Sequence, residues 1–366
     1  MSFNEIVLWI MAVGALLGGA DKIFGNRLGL GKEFDKGYET MGPLALGMVG
    51  IVCLTPLIQQ GVSATIAPFL TRLGMDPAVL GVILANDMGG YQLAMSLAED
   101  PMAGKLAGVL VASTLGATLV FNIPVGLGII PKEKQPFFIR GLLIGLIAIP
   151  FGGFFGGLAA GFPLVLTAIN IAPVAVLSAL LAVGLALAPE KMTAGCLLFG
   201  RLVGVLCTGG LACAAFTSIT GLVIIPGMAP IDGAMKTVAE IAIVLGGTFP
   251  ILSILMRILR RPLSWTGGKL GLDFVSVSAM VFSLANSVSL FVMTKDMDRR
   301  GIVVATAWMT TCSAVLGDHL GFTASVEPDM IFALVVTKVT GGLLAVALSM
   351  YMTRRDATPD AAPAAP

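Results

Sequence analysis

The feature that most constrains this chain is a series of apolar segments, each long enough to cross a membrane hydrocarbon core of about 30 Å. Hydrophobic residues make up 57% of the 366 positions and charged residues only 12%, against about 25% charged in an ordinary soluble domain. A backbone inside lipid must satisfy its own hydrogen bonds, and helices do so. The sequence therefore predicts an all-α polytopic membrane protein. Its eleven hydrophobic segments lie at about 5–20, 41–58, 76–97, 105–130, 138–160, 163–188, 196–224, 237–258, 273–294, 300–323 and 329–352.

Charge and motif content exclude several classes of partner and cofactor. The 22 Lys and Arg residues nearly balance the 21 Asp and Glu residues, so net charge indicates no nucleic acid or other highly charged partner. The five cysteines all lie in apolar runs, and the chain has a single histidine, which gives no metal-binding pattern. Phosphate-loop, dinucleotide and metalloprotease signatures are also missing from the sequence. The expected partners are the lipid bilayer and a small molecule, with no cofactor and no metal.

The distribution of basic residues favours nine full crossings over eleven. If segments 76–97 and 273–294 each enter and leave by the same face, 18 of the 22 Lys and Arg residues fall in loops on one side. Basic loops lie in the cytoplasm. This topology predicts two re-entrant, broken helices, with the N-terminus outside and the C-terminus in the cytoplasm.

A short sequence pattern that recurs later in the chain predicts an inverted repeat. Leu84-Ala85-Asn86 recurs as Leu284-Ala285-Asn286, and each copy is followed by a charged turn and an apolar segment with a polar interruption. Five predicted crossings separate the copies, so their orientations oppose one another, as in many transporters. We expect one transporter domain over 1–352, with repeat halves at about 41–160 and 237–352. The Pro/Ala-rich tail at 353–366 is expected to be disordered and cytoplasmic.

Ionisable residues inside membrane segments are costly and are therefore candidates for the functional site. Asp87 lies beside Gly89 and Gly90, which permit a helix break that could line a polar cavity; the alternative is a helix cap. Asp318 and His319 lie between Gly317 and Gly321, which would allow irregular backbone there. For this pair the alternative is a structural contact between helices.

Other polar and aromatic residues complete the predicted site. The amides of Asn286, Asn86 and Asn122 could bind a ligand or join two helices. Lys338 is an internal counter-ion candidate for Asp318 or Asp87. The rings of Tyr91 and Phe322, and of Phe121, could face a cation or simply pack.

These residues are compatible with two main function classes. A transporter would use the intramembrane acids at a midplane site. A membrane-embedded enzyme would use Asp87, Asp318 and His319 as a catalytic group, but no obvious nucleophile or metal set accompanies them. A purely structural scaffold is disfavoured by the buried acids and the histidine. The transporter interpretation is therefore preferred.

Five motifs carry a resemblance to a known family. They are ILANDMGGYQLA (83–94), VFNIPVGLGII (120–130), PEKM (189–192), MDRRG (297–301) and LGDHLGF (316–322). With them, the chain from its first helix to about residue 352 resembles the EutH family, the ethanolamine transporters of bacterial ethanolamine-utilisation systems. The resemblance implies an inner-membrane permease that admits ethanolamine; another small amine or polar solute is the alternative substrate.

The resemblance also bears on individual residues. Asp87, Gly89, Gly90, Asn286, Asp318, His319 and Gly321 match the family pattern and carry over to the site. The positions of Asn86 and Asn122 more often hold Cys and Ser in the family, so their role is less general. A carboxylate and an aromatic face suit the ammonium of ethanolamine, and an Asn or His suits its hydroxyl. Neither a coupling ion nor homo-oligomerisation is decided by the sequence.

Overall fold

The computed structural model describes residues 1–84 and 88–354, without the side chains at 83–84, 259–261 and 263–270. Every regular element in these ranges is helical, so the all-α prediction is confirmed. Asn86 and Asp87 of the predicted site lie outside the described residues, as does nearly all of the predicted tail. The helices are α1 Phe3–Ile23, α2 Leu30–Thr65, α3 Ala67–Arg72, α4 Val79–Leu84, α5 Gly89–Leu97, α6 Pro101–Ile129, α7 Gln135–Ala159, α8 Leu164–Leu187, α9 Pro189–Thr220, α10 Ile231–Leu270, α11 Phe274–Ser283, α12 Ser287–Met293, α13 Arg299–Cys312, α14 Asp318–Val326 and α15 Ile331–Met352.

Eight of the described helices are long and apolar enough to cross a membrane: α1, α2, α6, α7, α8, α9, α10 and α15. The protein is therefore an all-α polytopic membrane protein. The predicted crossing at 300–323 differs from these eight because it is divided into α13 and α14, and neither half would span alone. Nine crossings remain a prediction, since the number depends on whether α13 and α14 together cross the membrane.

The two segments predicted to be re-entrant each form a pair of short helices. In the first hairpin, α4 and α5 cross so closely that a Cβ on Gly81 would overlap the backbone of Ala94. In the second hairpin, α11 and α12 pack against each other and are separated by Leu284, Ala285 and Asn286. None of these four helices, which have 6 to 10 residues each, is long enough to cross a bilayer alone.

Aspartates cap the helix that follows each hairpin and accept main-chain hydrogen bonds at each hairpin entrance. Asp100 caps α6 through the main-chain N–H of Met102, and Asp298 caps α13 through that of Gly301. At the hairpin entrances, Asp273 caps α11, and Asp76 accepts from the N–H groups of Ala78, Glu99 and Asp100. Carboxylates at helix N-termini satisfy otherwise orphaned donors. The two hairpins are thus fixed by equivalent chemistry.

The interruption between α13 and α14 is held by the second hairpin. Ala314 N donates to Ser283 O and Leu316 N to Leu284 O, both at 2.9 Å. These bonds run between the turn at residues 313–317 and the end of α11, and they satisfy backbone groups that the break would leave unpaired. A Cβ on Gly317 would overlap the Ala285 carbonyl. The break is therefore a packed feature of the fold.

Helices α7 and α15 pack closely against each other. Gly152 and Gly156 of α7 lie against Thr337, where an added Cβ on either glycine would overlap that residue. Small residues let helix backbones approach closely in lipid, where apolar side chains gain little from leaving the solvent. This packing positions the buried Lys338, the next residue along α15.

The predicted cytoplasmic loops meet at one end of the molecule. Lys134 donates to Met297 O, Arg140 to Met352 O and Arg257 to Leu28 O. Segments predicted to be outside meet at the other end, where Lys105 pairs with Glu327. The contacts are thus grouped as the basic-loop prediction requires, although the orientation in a membrane stays a prediction.

Candidate functional site

Four of the predicted site residues line one cavity of about 400 Å³. They are Asn122 from α6, Asn286 from the tip of the second hairpin, and Asp318 and His319 from the start of α14. We call this space the polar cavity. Its other lining residues are Thr40, Pro43, Leu44, Gly47, Met48, Met88, Gly89, Ala117, Phe121, Ser287, Ser313 and Ala314. The helix break and both hairpins therefore contribute to one enclosure.

Asn122 presents an unsatisfied amide to the polar cavity. The residue is 1% exposed, and neither its Oδ1 nor its Nδ2 has a hydrogen-bond partner in the described structure. Leaving a buried polar group unsatisfied costs about 1–3 kcal/mol, so such groups in native proteins call for an explanation. An amide that can donate and accept at the wall of a cavity is suited to a polar ligand.

His319 has a defined hydrogen-bonding arrangement. Its Nδ1 lies 3.3 Å from the carbonyl oxygen of Ser313. A carbonyl can only accept, so Nδ1 carries the proton, and Nε2 is the acceptor when the ring is neutral. The ring is 4% exposed. His319 is therefore oriented by the interrupted backbone that precedes it.

Asp318 begins α14, and its Oδ1 accepts from the main-chain N–H of His319 at 3.1 Å. Asn286 caps α12, where its Oδ1 accepts from Val288 N at 2.7 Å. The cap uses the Asn286 oxygen, so the amide nitrogen is the group with which this residue could donate to a ligand.

A second cavity of about 550 Å³ adjoins the first. Both are lined by Thr40, Pro43, Asn286 and Asp318. We call this second space the vestibule. It extends past Phe249, Leu252, Ser253 and Met256 of α10 to Glu33, Lys36 and Glu39 of α2. The polar cavity thus continues toward the end of the molecule where the basic loops lie.

Tyr91 and Phe322 do not line the polar cavity among the described residues. Their rings pack edge to face with centroids 5.7 Å apart, and the Tyr91 hydroxyl donates to Glu327 Oε1 at 2.8 Å. The other Glu327 oxygen lies 2.7 Å from Lys105 Nζ. The structure thus places these two rings in a packed cluster. The aromatic ring at the cavity wall belongs to Phe121, which is 37% exposed.

The predicted hinge glycines have different positions. Gly89 and Gly90 are the first residues of α5, and Gly317 ends the interruption before α14. Gly321 lies inside the continuous helix α14, against Leu245 of α10. A Cβ on Gly321 would come within 2.6 Å of Leu245. Close packing, rather than a local break, therefore explains this glycine.

Lys338 is fully buried, and its described hydrogen bonds go to main-chain oxygens. Its Nζ lies 2.6 Å from Ser113 O and 2.8 Å from Ser313 O. The predicted carboxylate partners were Asp318 and Asp87, and the latter lies outside the described residues. The ammonium therefore satisfies carbonyls of two interrupted or distorted helices, α13 and α6. Ser313 is a candidate site residue that the sequence reasoning missed, because no side-chain signal marks a carbonyl freed by a helix break.

Comparison with known proteins defines the family. The family model described as "Ethanolamine utilisation protein, EutH" matches residues 3–352. The chain is 45% identical over 356 residues to a probable ethanolamine permease EutH of Listeria monocytogenes serotype 1/2a (strain 10403S), covering 97% of this chain and 95% of the relative. It is 35% identical over 398 residues to a probable ethanolamine permease EutH of Escherichia coli (strain K12), covering 98% of each. No solved structure matches the chain.

The family match spans the described helices from α1 to α15. Relatives named as permeases and eight apolar helices support a multi-pass membrane permease. The chain belongs to the EutH family of ethanolamine utilisation proteins.

Proposed function

We propose that this protein carries ethanolamine across the bacterial inner membrane and binds it in the polar cavity. The observation that carries the proposal is the unsatisfied amide of Asn122 in the same cavity as the Asp318 carboxylate. Ethanolamine at neutral pH has one ammonium group and one hydroxyl group. One anionic side chain and one neutral donor–acceptor amide match these two ends.

Each polar group of the cavity has a distinct role in this proposal. Asp318 accepts hydrogen bonds from the ammonium, while the ring of Phe121 offers a face to the same cation. Asn122 pairs with the hydroxyl, which it can both donate to and accept from. His319, with its proton on Nδ1, accepts through Nε2, and Asn286 donates through its amide nitrogen. Asp87 and Asn86 remain proposed contributors from the first hairpin.

The path to the site is open toward one end and packed at the other. The vestibule joins the polar cavity at Asp318 and Asn286. At the other end of α14, Glu327 contacts Tyr91 and Lys105. Gly321 of α14 packs on Leu245 of α10, whereas Leu252, further along α10, lines the vestibule. Helix α14 therefore runs from the vestibule at Asp318 toward the opposite end at Glu327. We infer that the conformation is open to the cytoplasm and closed to the outside.

The proposed topology follows the grouping of the basic loops. With these loops in the cytoplasm, the N-terminus lies outside and the C-terminus inside. In this topology the two hairpins enter from opposite faces, and Met88, Gly89, Asn286 and Ser287 bring both of them to the polar cavity. Residues 41–160 and 237–352 then form the halves of an inverted repeat within one domain at 1–352. Such repeats enclose midplane substrate sites in secondary transporters.

Equilibrium binding of labelled ethanolamine to the purified protein tests the proposed site. Competition by ethylamine, which lacks the hydroxyl, and by ethanol, which lacks the ammonium, should be much weaker than competition by unlabelled ethanolamine. Unpaired polar groups in the site would penalise either analogue. Equal competition by ethylamine and ethanolamine would contradict the proposed hydroxyl contacts. No measurable binding of ethanolamine would remove the substrate assignment.

A further inference from the structure

Two main-chain oxygen atoms from distant parts of the chain converge on the Lys338 ammonium. Ser113 O lies 2.6 Å and Ser313 O 2.8 Å from Nζ. Ser113 and Ser313 are both buried, and Lys338 is 0% exposed. Cys312 Sγ donates to the Lys338 carbonyl at 3.0 Å, which also fixes the main chain of this residue. The ammonium is therefore held in a defined position inside the helix bundle.

These carbonyls are available because their helices are irregular. Helix α13 ends at Cys312, and Ser313 adopts an extended conformation with φ −54° and ψ 143°. Ser113 lies in the π-helical stretch Leu106–Gly116 of α6. In wide or interrupted helical turns, carbonyl groups point away from their regular helical hydrogen-bond partners. Both oxygens can therefore serve a partner from another helix.

Carbonyl oxygens of unwound transporter helices commonly coordinate Na⁺ near the substrate site. Here a covalently attached ammonium takes the same kind of ligand. We propose that Lys338 permanently occupies a cation site in this protein, so that the fold and the passage of substrate require no Na⁺. Removal of this side chain would create a site that a monovalent metal cation can fill.

The location of this site connects it to the substrate. Ser313 lines the polar cavity, and its carbonyl oxygen contacts both Lys338 Nζ and His319 Nδ1. A positive charge at the Lys338 position therefore orients the same carbonyl that orients His319. The transport consequence rests on the proposed function, whereas cation binding at this position can be measured without ethanolamine.

Binding of radioactive sodium to the purified full-length protein tests the inference. The unsubstituted protein and Lys338→Arg, which keeps the charge, are expected to bind no Na⁺ above the level of protein-free controls. Lys338→Ala and Lys338→Ser are expected to bind Na⁺ saturably. In liposomes, the Ala variant should lose at least about ten-fold in ethanolamine uptake without Na⁺, equivalent to about 1.4 kcal/mol, and recover part of it when Na⁺ is supplied.

Two results would overturn the inference. One is saturable Na⁺ binding by the unsubstituted protein. The other is a cooperatively folded Lys338→Ala or Lys338→Ser protein that binds no Na⁺. If neither variant folds, the measurement on the unsubstituted protein decides alone. Because this binding assay contains no ethanolamine, its outcome is independent of whether ethanolamine proves to be the substrate.

Discussion

Ser113 and Ser313 direct their carbonyl oxygens to the same ammonium group, that of Lys338. The two serines are 200 positions apart, as are Asn86 and Asn286 of the recurring Leu-Ala-Asn tripeptide. Equivalent residues of an inverted repeat can share one contact only if they lie near its pseudo-two-fold axis. This relationship supports the proposed repeat, in which Lys338 would lie beside the axis.

Substitution of Asp318 by Asn tests the electrostatic role of the carboxylate. The change keeps the shape of the side chain and removes its charge. Loss of a charge-assisted hydrogen bond should cost about 1.5–3 kcal/mol, or about ten- to a hundred-fold in ethanolamine affinity. Asp232→Asn is the matched control, because Asp232 is exposed at the start of α10, outside both cavities. Unchanged affinity in a well-expressed Asp318→Asn protein would make the carboxylate structural.

Substitution of Asn122 by Leu separates binding from stability. Leu has a similar size and removes the unsatisfied amide, so the free energy of unfolding should stay constant or rise by up to about 1–3 kcal/mol. Ethanolamine affinity should fall by about ten-fold, and the preference for ethanolamine over ethylamine should shrink. Thermal unfolding and competitive binding measure these effects.

Ser178→Ala provides the control for Asn122. The Ser178 hydroxyl is likewise buried without a hydrogen-bond partner in the described structure, but Ser178 lies in α8 outside the polar cavity. Its substitution should leave ethanolamine affinity unchanged. If Asn122→Leu binds ethanolamine like the parent protein, the amide does not contact the substrate.

The Lys105–Glu327 pair is expected to keep the outer end closed. Lys105→Met should weaken the contact between α6 and the end of α14 and shift the protein toward an outward-open state. A cysteine at Ser287, in a background without the natural cysteines, should then react several-fold faster with an impermeant reagent from outside. Lys236→Met, which removes the exposed pair with Glu240, is the control. Equal rates in all three proteins would exclude a closing role for the pair.

Topology can be tested at two loops. Single cysteines in the 131–140 loop and at residues 295–298 of the 295–300 loop should be labelled only from the cytoplasmic side, because each of these loops carries three basic residues. Labelling of either loop from outside would contradict nine crossings and the inverted repeat that depends on them.

Much of the site was predictable because polar residues are costly in lipid. That cost identified Asn122, Asn286, Asp318 and His319, and all four line one cavity. The hairpins could also be anticipated. Most basic residues can lie on one side of the membrane only if two of the apolar segments enter and leave by the same membrane face. These features depend on local composition and on charge, which a sequence carries directly.

Other features depend on tertiary packing, which the sequence does not carry. The pairing of Tyr91 with Phe322 requires α5 and α14 to be neighbours, so the sequence could not distinguish a ring that faces a cation from a packed one. The role of Gly321 follows from contact with Leu245. The sequence predicted that the second hydrophobic segment starts at residue 41, because the charged residues at 32–39 lower the local hydropathy. In the structure α2 already begins at Leu30, and its first turns place Glu33 and Glu39 in the vestibule.

The central claim is that this protein moves unmodified ethanolamine across a bilayer. Uptake of labelled ethanolamine into liposomes containing the purified protein tests it most directly, with chemical analysis of the amine recovered from the lumen. The account predicts protein-dependent uptake of unchanged ethanolamine, reduced at subsaturating substrate by Asp318→Asn and unaffected by Asp232→Asn. Recovery of a chemically modified amine without flux, or uptake no faster than in protein-free liposomes, would contradict it.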